Sequence, residues 1–204
     1  MTQFAEITIV CVAYKRYQNI PVLIHSFLAQ TLQNFKLLIL HDGYDEAMDI
    51  LLSEYKTKYP NTINFAFTPE RHNDFGHSLR EIGIGLADTP FLLLTNDDNY
   101  YCPIFLENMF QALHAHQADI VMCDMIHSHN NPGGHLQPPY SLLKTAPSPG
   151  SVDIGCFIVK TDLAKQVSFR DKSHDGDATF FGDLLQKNPQ IRIAKVNQVL
   201  FVHN

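Results

Sequence analysis

A run of bulky apolar residues, Phe91 to Leu94, leads directly into Thr95, Asn96, Asp97, Asp98 and Asn99. A strand buried on both faces that ends in carboxylates and amides is a place for chemistry. In open α/β sheets, ligands collect outside the carboxyl ends of the strands, and oxygen-rich side chains there hold a hard divalent cation against a diphosphate. Alternation along the strand directs Asn96 and Asp98 to one side and Asp97 to the other. Asp98 is therefore the first candidate metal ligand, and oxygen ligands of this kind suit Mn2+ or Mg2+. Asp42 closes an earlier apolar run and is placed to accept hydrogen bonds from a base or ribose, or to serve as a turn Asp beside Gly43. Arg71 and Arg80 are candidates for neutralising phosphate or orienting the nucleotide, with a solvated arginine on a helix face an equally common alternative. His127 and His129 stand two apart, but no H-E-x-x-H or clustered His/Cys set accompanies them, so exposed loop histidines are favoured over a zinc pair. A G-x-x-x-x-G-K-[ST] loop and a G-x-G-x-x-G after the first strand are both missing, which argues against ATPase and dehydrogenase functions.

These residues need a scaffold. Ile7 to Val12, Lys36 to Leu40, Ile63 to Phe67, Phe91 to Thr95 and Ile120 to Ile126 read as strands. Between them lie helical patterns: one capped by Asn19 with Pro21 in its first turn, one from Asp45 to the break at Pro60, one with Leu79, Ile82 and Leu86 on one face, and one opened by Pro103 and reaching Ala115. Such alternation predicts an α/β fold, a mainly parallel sheet with helices on both faces. Ser128 to Ser151, rich in Pro and Gly, predicts a long loop of the functional or mobile kind. Ile154 to Val159 reads as a strand, Thr179 to Gln186 as a short helix, and Ile191 to Val196 and Val199 to Val202 as terminal strands.

At 204 residues and 45% apolar composition, a single domain with a sizeable core is expected. A net charge of -6 from 15 basic and 21 acidic residues argues against nucleic acid as a partner. Cys11, Cys102, Cys123 and Cys156 show no C-x-x-C spacing and read as reduced core thiols. No signal-like segment or run of roughly 20 apolar residues is seen. The expectation is a soluble cytoplasmic protein, with peripheral association at the inner face of a membrane and a homodimer both left open.

Taken together, the segments resemble the family 2 glycosyltransferases of the GT-A fold, a Rossmann-like nucleotide-diphospho-sugar transferase architecture. Ile9 to Arg16 resembles the family's first nucleotide-contacting segment, which assigns Val12, Ala13, Tyr14 and Arg16 to the nucleotide. Ser26 to Gln30 resembles its S-x-x-x-Q helix end. His41, Asp42, Gly43 and Tyr44 stand where the family has two acidic residues, Gly and Ser. Gly76, Arg80, Gly83 and Ala87 are similar to its G-x-x-x-R-N-x-G-x-x-x-A run, and Asn96, Asp97 and Asp98 occupy its D-x-D. The resemblance implies that Asp177 is the catalytic base, with Asp175 its nearest rival, and that His203 completes the metal site with Asp98.

It further implies that residues 1–100 form the nucleotide-binding half and 101–204 the acceptor and catalytic half. The implied reaction moves a sugar from a nucleotide-diphospho-sugar, UDP-sugar favoured, to a hydroxyl of a glycan or lipid-linked acceptor, with inversion, in surface glycan biosynthesis. Two alternatives stand beside it. His41 and Asn96 admit a nucleotide-sugar binding protein without turnover. A nucleotidyltransferase also uses an α/β sheet and a divalent metal, though the chain lacks a Gly-rich, basic N-terminal loop.

Overall fold

The computed structural model describes residues 5–128 and 139–204. Strand β1 (Ile7–Ala13), ITIVCVA, is buried along its whole length, as expected for a β-branched run covered on both faces. Around it are α1 (Ile20–Leu28), β2 (Phe35–His41), α2 (Glu46–Lys58), β3 (Ile63–Phe67), α3 (His77–Leu86) and β4 (Phe91–Asn96). There follow β5 (Tyr100–Tyr101), α4 (Phe105–Ala115), β6 (Ile120–His127), β7 (Ser141–Leu143), β8 (Phe157–Lys160), α5 (Thr161–Ala164), α6 (Gly176–Lys187) and β9 (Ile193–His203). Gln30, buried after α1, fastens the two halves together. Its Nε2 donates to Ser26 and Cys102 carbonyls, and its Oε1 accepts from the Leu106 amide that starts α4.

Among the described residues one sheet has the order β3-β2-β1-β4-β8-β6-β9-β5, with β7 on β6. The first four strands are parallel; β8 runs antiparallel to both β4 and β6, and β9 runs parallel to β6. Two reversals restore direction. The carboxyl ends of β1, β2, β3, β4, β6 and β9 therefore share one edge with the entry to β8. The second half is thus more mixed than the strand–helix alternation implies.

Several elements depart from the expectations in detail. The two terminal strands are one, β9, interrupted by a bulge: Cys123, Asp124 and Met125 of β6 pair with Val196, Val199 and Phe201. Ile154–Cys156 is a 3-10 turn rather than the start of β8. Of the long loop, residues 129–138, including His129, lie outside the described residues, whereas Ser141–Leu143 forms a strand and Pro149–Ser151 a 3-10 turn. The four cysteines are free, with Cys11, Cys123 and Cys156 buried.

Helix α3 is also rotated from its expected face. Leu79 is buried, but Ile82 and Leu86 are exposed, and the face against the sheet is His77, Arg80, Gly83 and Ile84. Gly83 explains this, because a Cβ there would lie 2.2 Å from Cγ1 of Val10. The helix lies directly on β1, which brings Arg80 to the end of β4. Gly85, two residues on, faces open space, with nothing within 4 Å of where a Cβ would stand. Gly85→Ala should therefore raise the denaturant midpoint, by up to about 1 kcal/mol of helix propensity. Gly83→Ala should lower it by about 1–3 kcal/mol through overpacking. Chemical denaturation of the two variants checks the pair, and equal shifts would remove the close approach as the cause.

Candidate active site

The end of β4 is where the chain's polar groups converge. Asn96 Oδ1 accepts from Nη2 of Arg80 at 2.6 Å. Asp97 is turned the other way: its Oδ2 accepts from the Tyr14 amide at 3.1 Å, and Arg16 Nη1 lies 3.4 Å from its Oδ1. Burial pushes the Asp97 carboxyl up to about 7, with Arg16 opposing the shift. Arg16 also pairs with Oδ2 of Asp98. The other oxygen of Asp98 is enclosed and has no hydrogen-bond partner in the structure. Burial raises the Asp98 carboxyl as well, while Arg16 and His203 hold it down.

The sheet edge brings the end of β9 beside this turn: Asn204 Nδ2 donates to the Asp98 carbonyl at 3.1 Å. His203 lies beside Asp153, with Nδ1 2.9 Å from Oδ2, close but off the direction of a straight hydrogen bond. Burial would lower the imidazole; Asp153 first, then Asp98 and Asp177, outweigh it and leave His203 above its ordinary value. Burial would raise Asp153, and His203 with the Gly155 amide outweighs that, so this carboxyl lies below its ordinary value. His127 is the register partner of His203 across β6 and β9, and their rings stack at 4.5 Å, 6° from parallel. One potential ligand atom from each of His127, Asp153 and His203 falls within 4.8 Å of the others. Parallel rings do not both aim lone pairs at one point, so this stack presents His203, not both imidazoles, to an ion.

Asp177 sits in the first turn of α6, where Gly176 allows close approach: a Cβ on Gly176 would lie 2.5 Å from Nε2 of His77. Oδ1 of Asp177 is enclosed without a hydrogen-bond partner, 3.7 Å from Nη1 of Arg80 and 3.8 Å from Nδ1 of His77. The side chain is 27% exposed, so its open part is elsewhere than Oδ1. Burial raises its carboxyl; Arg80 opposes. Asp175 is a correction. Although it caps α6 in position, its side chain is 85% exposed and pairs with His174, because it stands before the helix, two positions ahead of Asp177, and does not share the direction of the buried first turn. Asp183 is occupied by Arg170 at 2.7 Å.

The residues expected to touch the nucleotide divide into two groups. Val12 and Ala13 bury their side chains, with Val12 packed against Gly76. Asp42 is also committed: its oxygens accept from the amides of His72 at 2.7 Å and Asn73 at 3.0 Å. It holds the segment after β3. Tyr14 and Arg71 stand at the open edge, with the guanidinium 3.8 Å from the Tyr14 ring centroid. His41 lies beneath them, accepting from the Lys15 amide at Nε2 while Nδ1 faces the Gly43 carbonyl, which assigns the proton to Nδ1. Its ring neighbours Tyr14 and Phe67.

The sequence matches the description "Glycosyl transferase family 2" over residues 8–147, more than half of the chain. The chain belongs to glycosyl transferase family 2. A curated relative is the minor teichoic acid biosynthesis protein GgaB of Bacillus subtilis (strain 168), 24% identical over 164 residues, covering 76% of this chain and 18% of GgaB. Among solved structures, S. aureus TarS 1-349 superposes with a TM-score of 0.77 at 16% identity, covering 98% of this chain and 60% of that one. The mannosyltransferase PcManGT from Pyrobaculum calidifontis, in complex with GDP-Man and Mn2+, gives 0.76 at 13% identity, covering 99% and 57%. At such identities the structures establish the fold. The chain spans less than two thirds of each of these proteins.

Within this family 2 fold, His77 and Asp153 are the site residues that sequence reasoning missed, and His127, expected with His129 to be an exposed loop histidine, is instead the half-buried last residue of β6, stacked on His203. His77 lies inside the G-x-x-x-R run without belonging to its pattern, and Asp153 sits in an irregular segment with no periodicity to aim it. His77 is 1% exposed; Nε2 faces the Ser173 carbonyl at 2.9 Å and Nδ1 faces Arg80 at 2.9 Å. A carbonyl accepts and a guanidinium donates, so His77 is neutral with its proton on Nε2. Burial first, then Arg80, lowers its pKa below the ordinary value. The unfolded chain thus takes up a proton at about pH 6.5 that the folded one refuses. His77 stabilises the fold above that pH, and the contribution is lost as pH falls. The denaturant midpoint of the wild type should drop between pH 7.5 and 5.5 by more than that of His77→Gln. Equal pH dependence in the two would contradict this account.

Proposed function

We propose that the chain transfers a sugar from a nucleoside-diphosphate sugar to an acceptor hydroxyl with inversion at the anomeric carbon, using a divalent cation. One observation carries the reading. Two carboxylates, Asp98 and Asp177, each keep an enclosed oxygen without a hydrogen-bond partner, the first beside Arg16, the second beside Arg80, with the His203 imidazole raised by both. Buried carboxylate oxygens are seldom left so unless a ligand, ion or proton completes them.

The donor set suits a cation of the Mn2+ or Mg2+ type: a carboxylate oxygen of Asp98 and the His203 imidazole, with Asp153 at Nδ1 fixing the ring so that Nε2 is the ligating atom. When bound, the ion supplies Lewis-acid stabilisation of the departing diphosphate. Arg16 then exchanges its carboxylate partners for phosphate oxygens, to which a guanidinium is well matched. Tyr14 and Arg71 offer a stacked edge for the base, and the names of structural relatives, among them TarS in complex with UDP-GlcNAc, favour a UDP-sugar. Asp177 faces the acceptor side. Its carboxyl, raised by burial yet held in ionised reach by Arg80, accepts the proton of the attacking hydroxyl. The name of GgaB supports a surface glycan, reached through a glycan or lipid-linked acceptor. Among the described residues no helix is long and apolar enough to cross a membrane.

The test pairs binding with turnover. Calorimetry should show UDP binding that is lost on chelation and weakened in Asp98→Ala, and binding insensitive to chelator would remove the cation. Asp177→Asn should bind UDP with wild-type affinity but lose transfer by about 10²–10⁴-fold, the usual contribution of a general base. Unchanged turnover in Asp177→Asn would take the base role from it.

A further inference from the structure

A bulky aromatic side chain stands in solvent beside His77 and His174, on backbone that aromatic residues avoid. Phe75 is 62% exposed and has φ +59, and its neighbour Gly76 has φ +81. A left-handed conformation is an outlier for a large side chain and persists only when its surroundings impose it. Here they do. The Phe75 carbonyl accepts from Nη1 of Arg80 at 2.9 Å, Asp74 accepts from the Ser78 amide at 3.0 Å to start α3, and Asn73 is tied to Asp42. The backbone is clamped on both sides and the ring is thrown outward. Folding does not account for that, because the ring is mostly outside the core.

What the ring meets is the lead-in to α6. His174 stands edge-on to it, ring centroids 5.9 Å apart at 89°, and His77 lies 6.3 Å away on the inner side. His77 is in turn 3.8 Å from Asp177. Phe75 is therefore one side chain removed from the group assigned as the base. A base faces its acceptor.

We propose that Phe75, edged by His174, is the platform on which the acceptor rests, and that the acceptor presents a pyranose ring. The negative face of a phenyl ring attracts the partly positive axial C–H groups of a pyranose. Recognition of this kind needs polar neighbours for the hydroxyls. Asn73 and Asp74 precede the ring in the chain, Lys172 pairs with Asp74, and Asp175 pairs with the His174 that edges it. Those same polar groups disfavour an acyl chain or bilayer as its occupant. The proposal rests on the glycosyltransferase reading through Asp177.

Saturation-transfer NMR with methyl glycosides of glucose, galactose and N-acetylglucosamine, in the presence of UDP and Mn2+, tests it. The wild type should saturate pyranose ring protons of at least one glycoside and none of glycerol's. Phe75→Gly should reduce that signal at least fivefold, and Phe75→Trp should keep it. Glycine tolerates the positive φ, so the melting temperature of Phe75→Gly should equal or exceed that of the wild type, and its UDP affinity should be unchanged. No glycoside signal in the wild type, equal signal in Phe75→Gly, equal saturation of glycerol, or a fall in melting temperature would each overturn the platform. UDP binding measured separately keeps the two readings apart: its absence from the wild type removes the donor site, whereas its presence without glycoside binding removes only the acceptor platform.

Discussion

A guanidinium buried to 2% exposure organises this cleft. Burying a charge is costly unless it is paired and hydrogen-bonded. Arg80 meets most of that requirement: three neutral acceptors, Asn96 Oδ1, the Phe75 carbonyl and Nδ1 of His77, take its Nη1 and Nη2 donors, the Asp177 carboxylate lies at 3.7 Å, and Nε alone is enclosed without a hydrogen-bond partner. Each acceptor comes from a different place: the end of β4, the segment before α3, α3 itself and α6. A single side chain thus sets the distance between the half of the chain that ends at β4 and the helix that carries the proposed base. The competition on Asp177 follows directly, with burial favouring the neutral acid and Arg80 favouring the anion. A general base works in that balance, since a carboxylate fully paired with a cation is too weak a proton acceptor.

The second constraint is topological. Asp98, His127, Asp153 and His203 are scattered through the sequence, yet each stands at an end of a strand or just before one. The order β4-β8-β6-β9, with β8 reversed between two strands of common direction, puts all of them at one edge. The bulge in β9 then sets the register. By carrying Val196 to Val199 and Phe201 past three consecutive residues of β6, it places His203 opposite His127. Neighbouring strands lie about 4.8 Å apart, so in-register imidazoles on one face stack at nearly that distance. The His127–His203 stack is a consequence of strand pairing, and the Asp153 contact is what singles out His203.

Much of this was legible in the residues. Continuous β-branched runs identify β1 and β4, the Asp45 cap fixes the start of α2, and the change from Leu94 to Asp98 marks the functional edge. Other features depend on information that a linear pattern does not hold. Asp42 looks like a ligand residue because it ends a strand, but its two oxygens go to amides thirty residues away, which periodicity cannot reveal. Asp175 and Asp177 are indistinguishable by composition. The helix start at Gly176 separates them, and that start depends on Gly176 fitting against His77. In α3 the apolar spacing of Leu79, Ile82 and Leu86 suggested a face that Gly83 overrules, because a missing side chain permits closer packing than a present one attracts.

The two departures from the acidic family pattern, His41 and Asn96, have a common physical sense in this environment. Asp97 and Asp98 are already raised by burial, with Arg16 shared between them. A third carboxylate at position 96 would add like charge at the most crowded point of the cleft. It would also face Arg80 at hydrogen-bonding distance, becoming the nearer counter-ion and displacing Asp177 from that role. Asn96 supplies the acceptor oxygen without the charge, so the guanidinium retains its pull on the base across the cleft. His41 likewise gives one acceptor and one donor, to Lys15 N–H and the Gly43 carbonyl, where a carboxylate would offer acceptors alone and leave that carbonyl facing negative charge. Both replacements remove negative charge from the interior while keeping hydrogen bonds in place: Asn96 keeps the bond from Arg80, and His41 keeps those that hold the turns after β1 and β2.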